Sequence, residues 1–326
     1  MEKNKKAEIT TSHLISILLL LATLVILLFF YYYLNWRENI NDEICHQSIV
    51  ERSTFNLGPI EVGKTIPLKC ETKKHYLYYD PDNIGFLEKD SKKIKLNDNF
   101  EDVSKDKIIE LISQEIYNAH SIVGQGKLDF MPHSITNKNY CLIMSKFSFG
   151  SEVKKDLPEI KYSDIYGYMK TKKDANNINY YDFVYGNIDV SDLSSFTAQD
   201  SSGNQVAFDL ILKSSPFSNQ FSDYVIVVQM QPEATLGILS SSLAGGIGAG
   251  AVTLTVVRLI TSTTPVGFAL NVAGATALVL YSNNHPASRD CGNNQECKFN
   301  YVAPSILAFD SDTLEKLNCY DFSVAP

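Results

Sequence analysis

Three apolar runs interrupt a chain that elsewhere changes between apolar and polar positions on the scale of single strands and helices. The first, "LISILLLLATLVILLFFYYYL" over residues 14–34, carries no charge and has the length needed to cross a hydrocarbon core of roughly 30 Å. The second covers residues 236–260 and the third 266–282, both rich in glycine or alanine and joined by "TSTTP". Small residues recur at helical spacing in each: Ser242, Gly246 and Gly250 in the second, Ala269, Ala273 and Ala277 in the third. Such faces let two helix backbones approach where lipid removes the hydrophobic drive to associate. The pattern predicts one transmembrane anchor and one transmembrane helical hairpin, with Pro265 ending the first arm.

The shorter periods between these runs predict an α+β domain. Residues 103–123 read as a helix, with Ser104 as its cap and Ile108, Ile109, Leu111, Ile112, Ile116 and Ile122 as its apolar stripe. "IKYSDIYGYMKTKK" reads as a second helix. "TIPLKC", "HYLYY", "NYCLIMSKFSF", "QVAFDLILK" and "DYVIVVQM" read as strands. Beyond the third apolar run come one more strand, "YVAPSILAF", and a short helix around "TLEKL" begun by Asp310 or Asp312. A tail this apolar is expected to complete the sheet begun before the hairpin.

Charge gives the apolar runs a direction. Lys3, Lys5 and Lys6 precede the first run, and Arg37, Glu38, Asp42 and Glu43 follow it, which places the N-terminus in the cytoplasm. Tyr31, Tyr32, Tyr33 and Trp36 supply an aromatic belt at the exit. A cleaved signal peptide should be shorter and end in small residues, unlike "FFYYYLNW". The expected order is a cytoplasmic N-terminus (1–13), an anchor (14–34), an outer domain (36–235), a helix running inward (236–260), a cytoplasmic loop (261–265), a helix running outward (266–282) and an outer tail (283–326). Arg258 then falls at the cytoplasmic interface, while Thr253 and Asn271 are expected to bond within the helix pair. Buried helices of a water-soluble core are the rival reading, disfavoured by the cost of glycine and the lack of a polar face. The formal net charge of −8 argues against a nucleic-acid partner.

All six cysteines fall in segments assigned to the outside, where an even count reads as three disulfides. "CGNNQEC" suggests a local loop from Cys291 to Cys297; proximity suggests Cys45 with Cys70, which leaves Cys141 for Cys319. A zinc site drawing on His120, His133 or His285 lacks both a C-x-x-C pair and a close histidine pair. "GQGKLDF" has the wrong glycine spacing for a P-loop and no Ser or Thr after its lysine, so it reads as a helix C-cap and turn. "DPDNIG" resembles the start of a calcium loop, but Ile84 and Ser91 occupy ligand positions. No hydrolase or metalloprotease signature is present, and no catalytic, cofactor or metal-binding residue is assigned. The tyrosine-rich "YSDIYGYM" and "INYYDFVYG" read as half-buried surface of sheets and helices, with a binding surface as the sharper rival.

The order of "KTIPLKCET", "GQGKLDF", "YCLIMSKFSF", the glycine-rich run and "DTLEKLNCYDFSV" behind an N-terminal anchor resembles a group of uncharacterised membrane-anchored archaeal proteins. The resemblance implies the same topology and no assigned activity. It also implies a further cysteine pair in relatives, at the positions of Ala119–His120 and Met144, whose two ends this chain lacks together. The function expected is non-enzymatic: an outer domain held at the bilayer surface for contact with an envelope or membrane protein partner. A pore-forming, fusogenic or translocation component using the hairpin, or an envelope enzyme, would be the alternatives.

Overall fold

The computed structural model describes residues 11–33, 36–56, 67–79, 91–96, 101–130, 139–150, 152–153, 160–186, 197–199, 205–207, 223–232, 254–255, 267–272, 275–280, 289–290, 296–297, 299–309 and 319–323. Five helices lie among them: α1 (Thr11–Tyr33), α2 (Trp36–Asn56), α3 (Glu101–Ile122), α4 (Tyr162–Thr171) and α5 (Tyr180–Tyr185). The principal strands are β1 (Lys73–Tyr78), β2 (Lys92–Lys95), β3 (Asn139–Phe149), β6 (Asp223–Pro232), β12 (Phe299–Phe309) and β13 (Cys319–Ser323). Shorter strands are β4 (Thr197–Gln199), β5 (Gln205–Ala207), β7 (Leu254–Thr255), β8 (Gly267–Val272), β9 (Ala275–Leu280), β10 (Arg289–Asp290) and β11 (Glu296–Cys297). The chain divides into two units, Met1–Glu43 and Ile44–Pro326.

In the first unit, α1 is uncharged, and at residues 15–29 every side chain is exposed. Among the described residues no helix is long and apolar enough to cross a membrane. The second unit is an α+β domain. Its sheet runs β12-β6-β3-β1-β2, with β13 pairing β3 beside β1. β6 is antiparallel to both its neighbours, β12 and β3, whereas β1 and β13 run parallel to β3 and β2 runs parallel to β1. Both tail strands are therefore part of the sheet.

Two bulges decide which residues meet the helices. On β3, Leu142 pairs with Val228 and Ser145 with Ile226, so a step of three residues on β3 matches a step of two on β6. Met144 is absorbed in the irregularity, and Tyr140, Leu142, Ser145 and Phe147 come to one face despite their mixed parity. β12 does the same between Val302 and Ser305, where Pro304 occupies the one kind of in-sheet position that tolerates a missing N–H. α3 covers this face with Ile108, Ile112, Ile116 and Ala119, all buried in the core with Leu142, Phe147, Ile226 and Tyr301. The opposite face is buried as well at Cys141, Val225, Val227 and Leu307.

The tyrosine-rich segments are core. Tyr162, Tyr166, Tyr181 and Tyr185 are buried, their rings stacked, tilted or edge-on at 5.2–5.9 Å. Tyr185 donates its hydroxyl to the Pro304 carbonyl at 3.1 Å and Tyr162 donates to the Ile306 carbonyl at 2.8 Å. Two carbonyls of the bulged edge strand are thus satisfied by phenols.

Several expectations are corrected. α3 begins at Glu101, so Ser104 lies inside it, fully buried, and is no cap. Of "TIPLKC", residues 67–70 are not strand, and Cys70 is held by a disulfide instead. The third apolar run is not a helix over its described residues but the pair β8–β9, in which Ala269 opposes Leu278 and Ala277 opposes Leu270. The described part of the second run, Leu254 and Thr255, is strand β7 paired to β8. Apolar runs of about six residues do not reveal by periodicity whether they are strand or helix, and here pairing of neighbouring runs prevails. Ser242, Gly246, Gly250 and Ala273, the "TLEKL" helix and "DPDNIG" lie outside the described residues.

Candidate functional site

A buried polar constellation lies between β1, β3 and α3. Parallel pairing sets Lys73 opposite Ser145 and His75 opposite Phe147, so alternate residues of β1 turn Lys73 and His75 to the face that α3 covers. α3 places Glu115 over them. Ser145 donates to Glu115 Oε2 at 2.7 Å, Lys73 Nζ lies 3.8 Å from the same oxygen, and His75 Nε2 lies 3.5 Å from Oε1. The His75 ring stacks on Phe147 with centroids 5.2 Å apart. Glu115, His75 and Ser145 are buried, and Lys73 is half-buried.

Burial acts to raise the Glu115 pKa, but the His75 ring, the Lys73 charge and the Ser145 hydroxyl outweigh it and hold the carboxyl below its ordinary value. The group is an ionised carboxylate in the core. In a nucleophilic triad the imidazole bridges hydroxyl and carboxylate. Here the carboxylate is the bridge, with the hydroxyl on one oxygen and the imidazole on the other. Ser145 is therefore spent as a donor, and the arrangement does not activate it. What the cluster does is hold one negative charge between three elements and so fix their register.

A second buried pair lies five residues further along, in the last turn of α3. Tyr301 and His120 Nδ1 are 3.1 Å apart, and burial, with a smaller effect from Lys127, pushes the His120 pKa down to about 3. A neutral imidazole accepting from the Tyr301 hydroxyl fits both observations. "GQGKLDF" supplies the floor: Gly124, Gln125 and Gly126 all have positive φ, and a Cβ on Gly126 would strike the Tyr301 ring. The segment is a helix-terminating turn whose glycines admit the returning tail strand.

Among the described residues two disulfides are present, Cys45–Cys70 and Cys141–Cys319. The first fastens α2 to the chain entering β1. The second ties β3 to β13, whose register sets Cys319 beside Asn139. Cys297 lies on β11, which pairs β10 with Asp290 opposite Glu296; Cys291 is outside the described residues. Among the described residues no group of three His, Cys, Asp or Glu side chains is placed to hold a metal.

The polar cluster has a readable signal in the sequence. Glu115 stands seven residues after Ile108, on the apolar stripe of α3, and His75 alternates with Leu77 on a strand. A charged residue at an inward position announces a buried partner, though only the fold names it. No protein-family model, curated protein or solved structure matches the chain.

Proposed function

We propose that this protein is a membrane-anchored, non-enzymatic module that presents a disulfide-stabilised α+β domain on the outer side of a membrane to an envelope or membrane protein partner. The observation that carries this reading is α1: through residues 15–29 its apolar side chains are exposed on every side, which water does not tolerate in a helix and lipid does. The full uncharged run of residues 14–34 has the length of a span. Two disulfides in the domain that follows fit an oxidising compartment outside the cytoplasm. The buried cluster at Glu115 supports a structural role over an enzymatic one, because its hydroxyl and imidazole do not face each other. Presentation, with affinity residing on the domain's surface, is the activity such a molecule can perform.

Fractionation of cells expressing the full chain tests this directly. The protein should stay with membranes through an alkaline wash, and protease added outside intact cells should digest the domain. A variant lacking residues 1–35 should leave the membrane pellet unless a second lipid contact exists. Full-length protein in the soluble fraction, or a domain protected until the cells are lysed, would overturn the reading.

A further inference from the structure

The two disulfides differ in their access from solvent. Cys45 and Cys70 are 3% and 7% exposed, so both ends of the bond between α2 and the chain entering β1 are sheltered. Cys141 on β3 is fully buried, whereas Cys319 on β13 is only half-buried. Thiol–disulfide exchange needs a thiolate to reach one sulfur, so access separates two bonds of the same chemistry. Of these four cysteines Cys319 is the most open.

The strand that carries Cys319 depends on its bond more than its neighbours depend on theirs. β13 and β1 lie end to end along one edge of β3, both parallel to it. β1 pairs in unbroken register from Lys73 opposite Ser145 to Leu77 opposite Phe149, and β2 extends the sheet beyond it. β13 pairs at Cys319 with Asn139, Phe322 with Cys141 and Ser323 with Leu142, and its register shifts between the first two of these. Among the described residues no further strand pairs with β13. So short and irregular a ladder contributes little against the entropy of ordering the strand. The covalent tie, across a sequence separation of 178, keeps β13 beside its place on β3.

We infer that Cys141–Cys319 is an exchangeable latch on β13, opened by a protein dithiol of the thiol–disulfide oxidoreductase class, while Cys45–Cys70 resists the same reagent. A thiolate of the dithiol attacks Cys319 Sγ; a new S–S bond forms there and the bond to Cys141 breaks. Cys141 leaves as a thiolate and takes up a proton. The second thiol of the dithiol then attacks its partner sulfur in the mixed disulfide and releases Cys319. The dithiol ends oxidised by two electrons and the protein reduced by two. Burial of Cys141 directs the attack to Cys319. With the latch open β13 is free to leave, and the edge of β3 at residues 139–142 presents unpaired N–H and C=O groups. Such an edge is a template for an extended segment of another chain, a contact that the closed state does not offer. β1 and β6 keep the rest of β3 paired in both states.

The test treats the full chain in detergent micelles with graded dithiothreitol, under conditions where near-UV circular dichroism shows the domain folded. Samples are quenched in acid, unfolded and alkylated, so that every reduced thiol is read by peptide mass whatever its burial. Cys141 and Cys319 should be reduced about tenfold faster than Cys45 and Cys70, or more. Hydrogen exchange on the same samples should show protection lost among residues 139–142 and kept across 145–149. Equal rates at the two bonds, faster opening of Cys45–Cys70, or thiols that appear only as the whole domain unfolds would each overturn selective exchange. Selective opening with residues 139–142 still protected would show that the bond is no latch.

Discussion

Glu115 stands on an otherwise apolar stripe, and its effect on stability follows from its partners. Replacement by Gln keeps the shape and a hydrogen-bond acceptor for Ser145 but removes the buried negative charge that Lys73 and His75 face, at a cost of about 2–4 kcal/mol. The folded-state pKa is depressed, so the stabilisation is fully present above the ordinary Glu value of about 4.3 and is lost as pH falls through the lower folded value. Denaturant melts across pH should show wild type and Glu115→Gln well separated at neutral pH and converging in acid. A constant gap would mean the ionised form contributes nothing. Two glycines give a paired residue-scale forecast. Gly126 has φ +72° and would drive a Cβ into Tyr301, so Gly126→Ala should lower stability by about 1–3 kcal/mol. Gly167 lies inside α4 with nothing within 4 Å of a new Cβ, and Gly167→Ala should raise stability by up to about 1 kcal/mol. Thermal melts of the two variants should move in opposite directions.

Among the elements, β12 is the one most dependent on its surroundings. It forms an edge of the main sheet, it is bulged around Pro304, and α5 and the start of α4 reach it through tyrosine hydroxyls. α5 has only six residues, too few to be stable alone, but Asn179 caps it by accepting from the Asp182 N–H at 2.7 Å. Tyr185→Phe removes the donor to Pro304 while keeping the buried ring. The carbonyl left behind should cost about 1 kcal/mol, read as a lower denaturant midpoint with an unchanged slope. Amide exchange along β12 should quicken more than along β6, because β6 has ladder partners on both sides. Equal quickening of both strands would show that the loss is global rather than local to the edge.

For the whole molecule, closure of the sheet depends on chain that returns after the third apolar run. β12 adds to β6 and β13 adds to β3, so the last strands in sequence neighbour strands formed much earlier. The Cys141–Cys319 bond spans 178 residues and Cys45–Cys70 spans 25. In the chain-entropy model these correspond to about 5 and about 3.5 kcal/mol of restriction on the unfolded chain. Removing the longer bond by Cys141→Ser with Cys319→Ser should therefore lower stability more than removing the shorter one by Cys45→Ser with Cys70→Ser. Equilibrium unfolding of the two double variants decides the order. The reverse order would show that the tail stays docked without its covalent tie.

Where local pattern and environment agree, the fold was legible from the residues alone. β3, α3, α4, β6 and β12 follow from runs whose period or β-branched content admits one reading, and the two cysteine pairs followed from proximity and elimination. What the pattern could not contain was pairing. The third apolar run became β8–β9 because two adjacent stretches could share a ladder, a choice that depends on where each arm lies. The tyrosines became core because α4 and α5 fold onto β12, which arrives more than a hundred residues later. The Glu115 cluster needed β1, β3 and α3 assembled before its four groups could meet. Sequence alone determined the elements with a single period and the contrast between the apolar runs and the rest of the chain, because both are properties of neighbouring residues. Tertiary structure alone decided the strand partners, the bulges that set facing, and the satisfaction of buried polar groups, because each of these is a relation between distant parts of the chain.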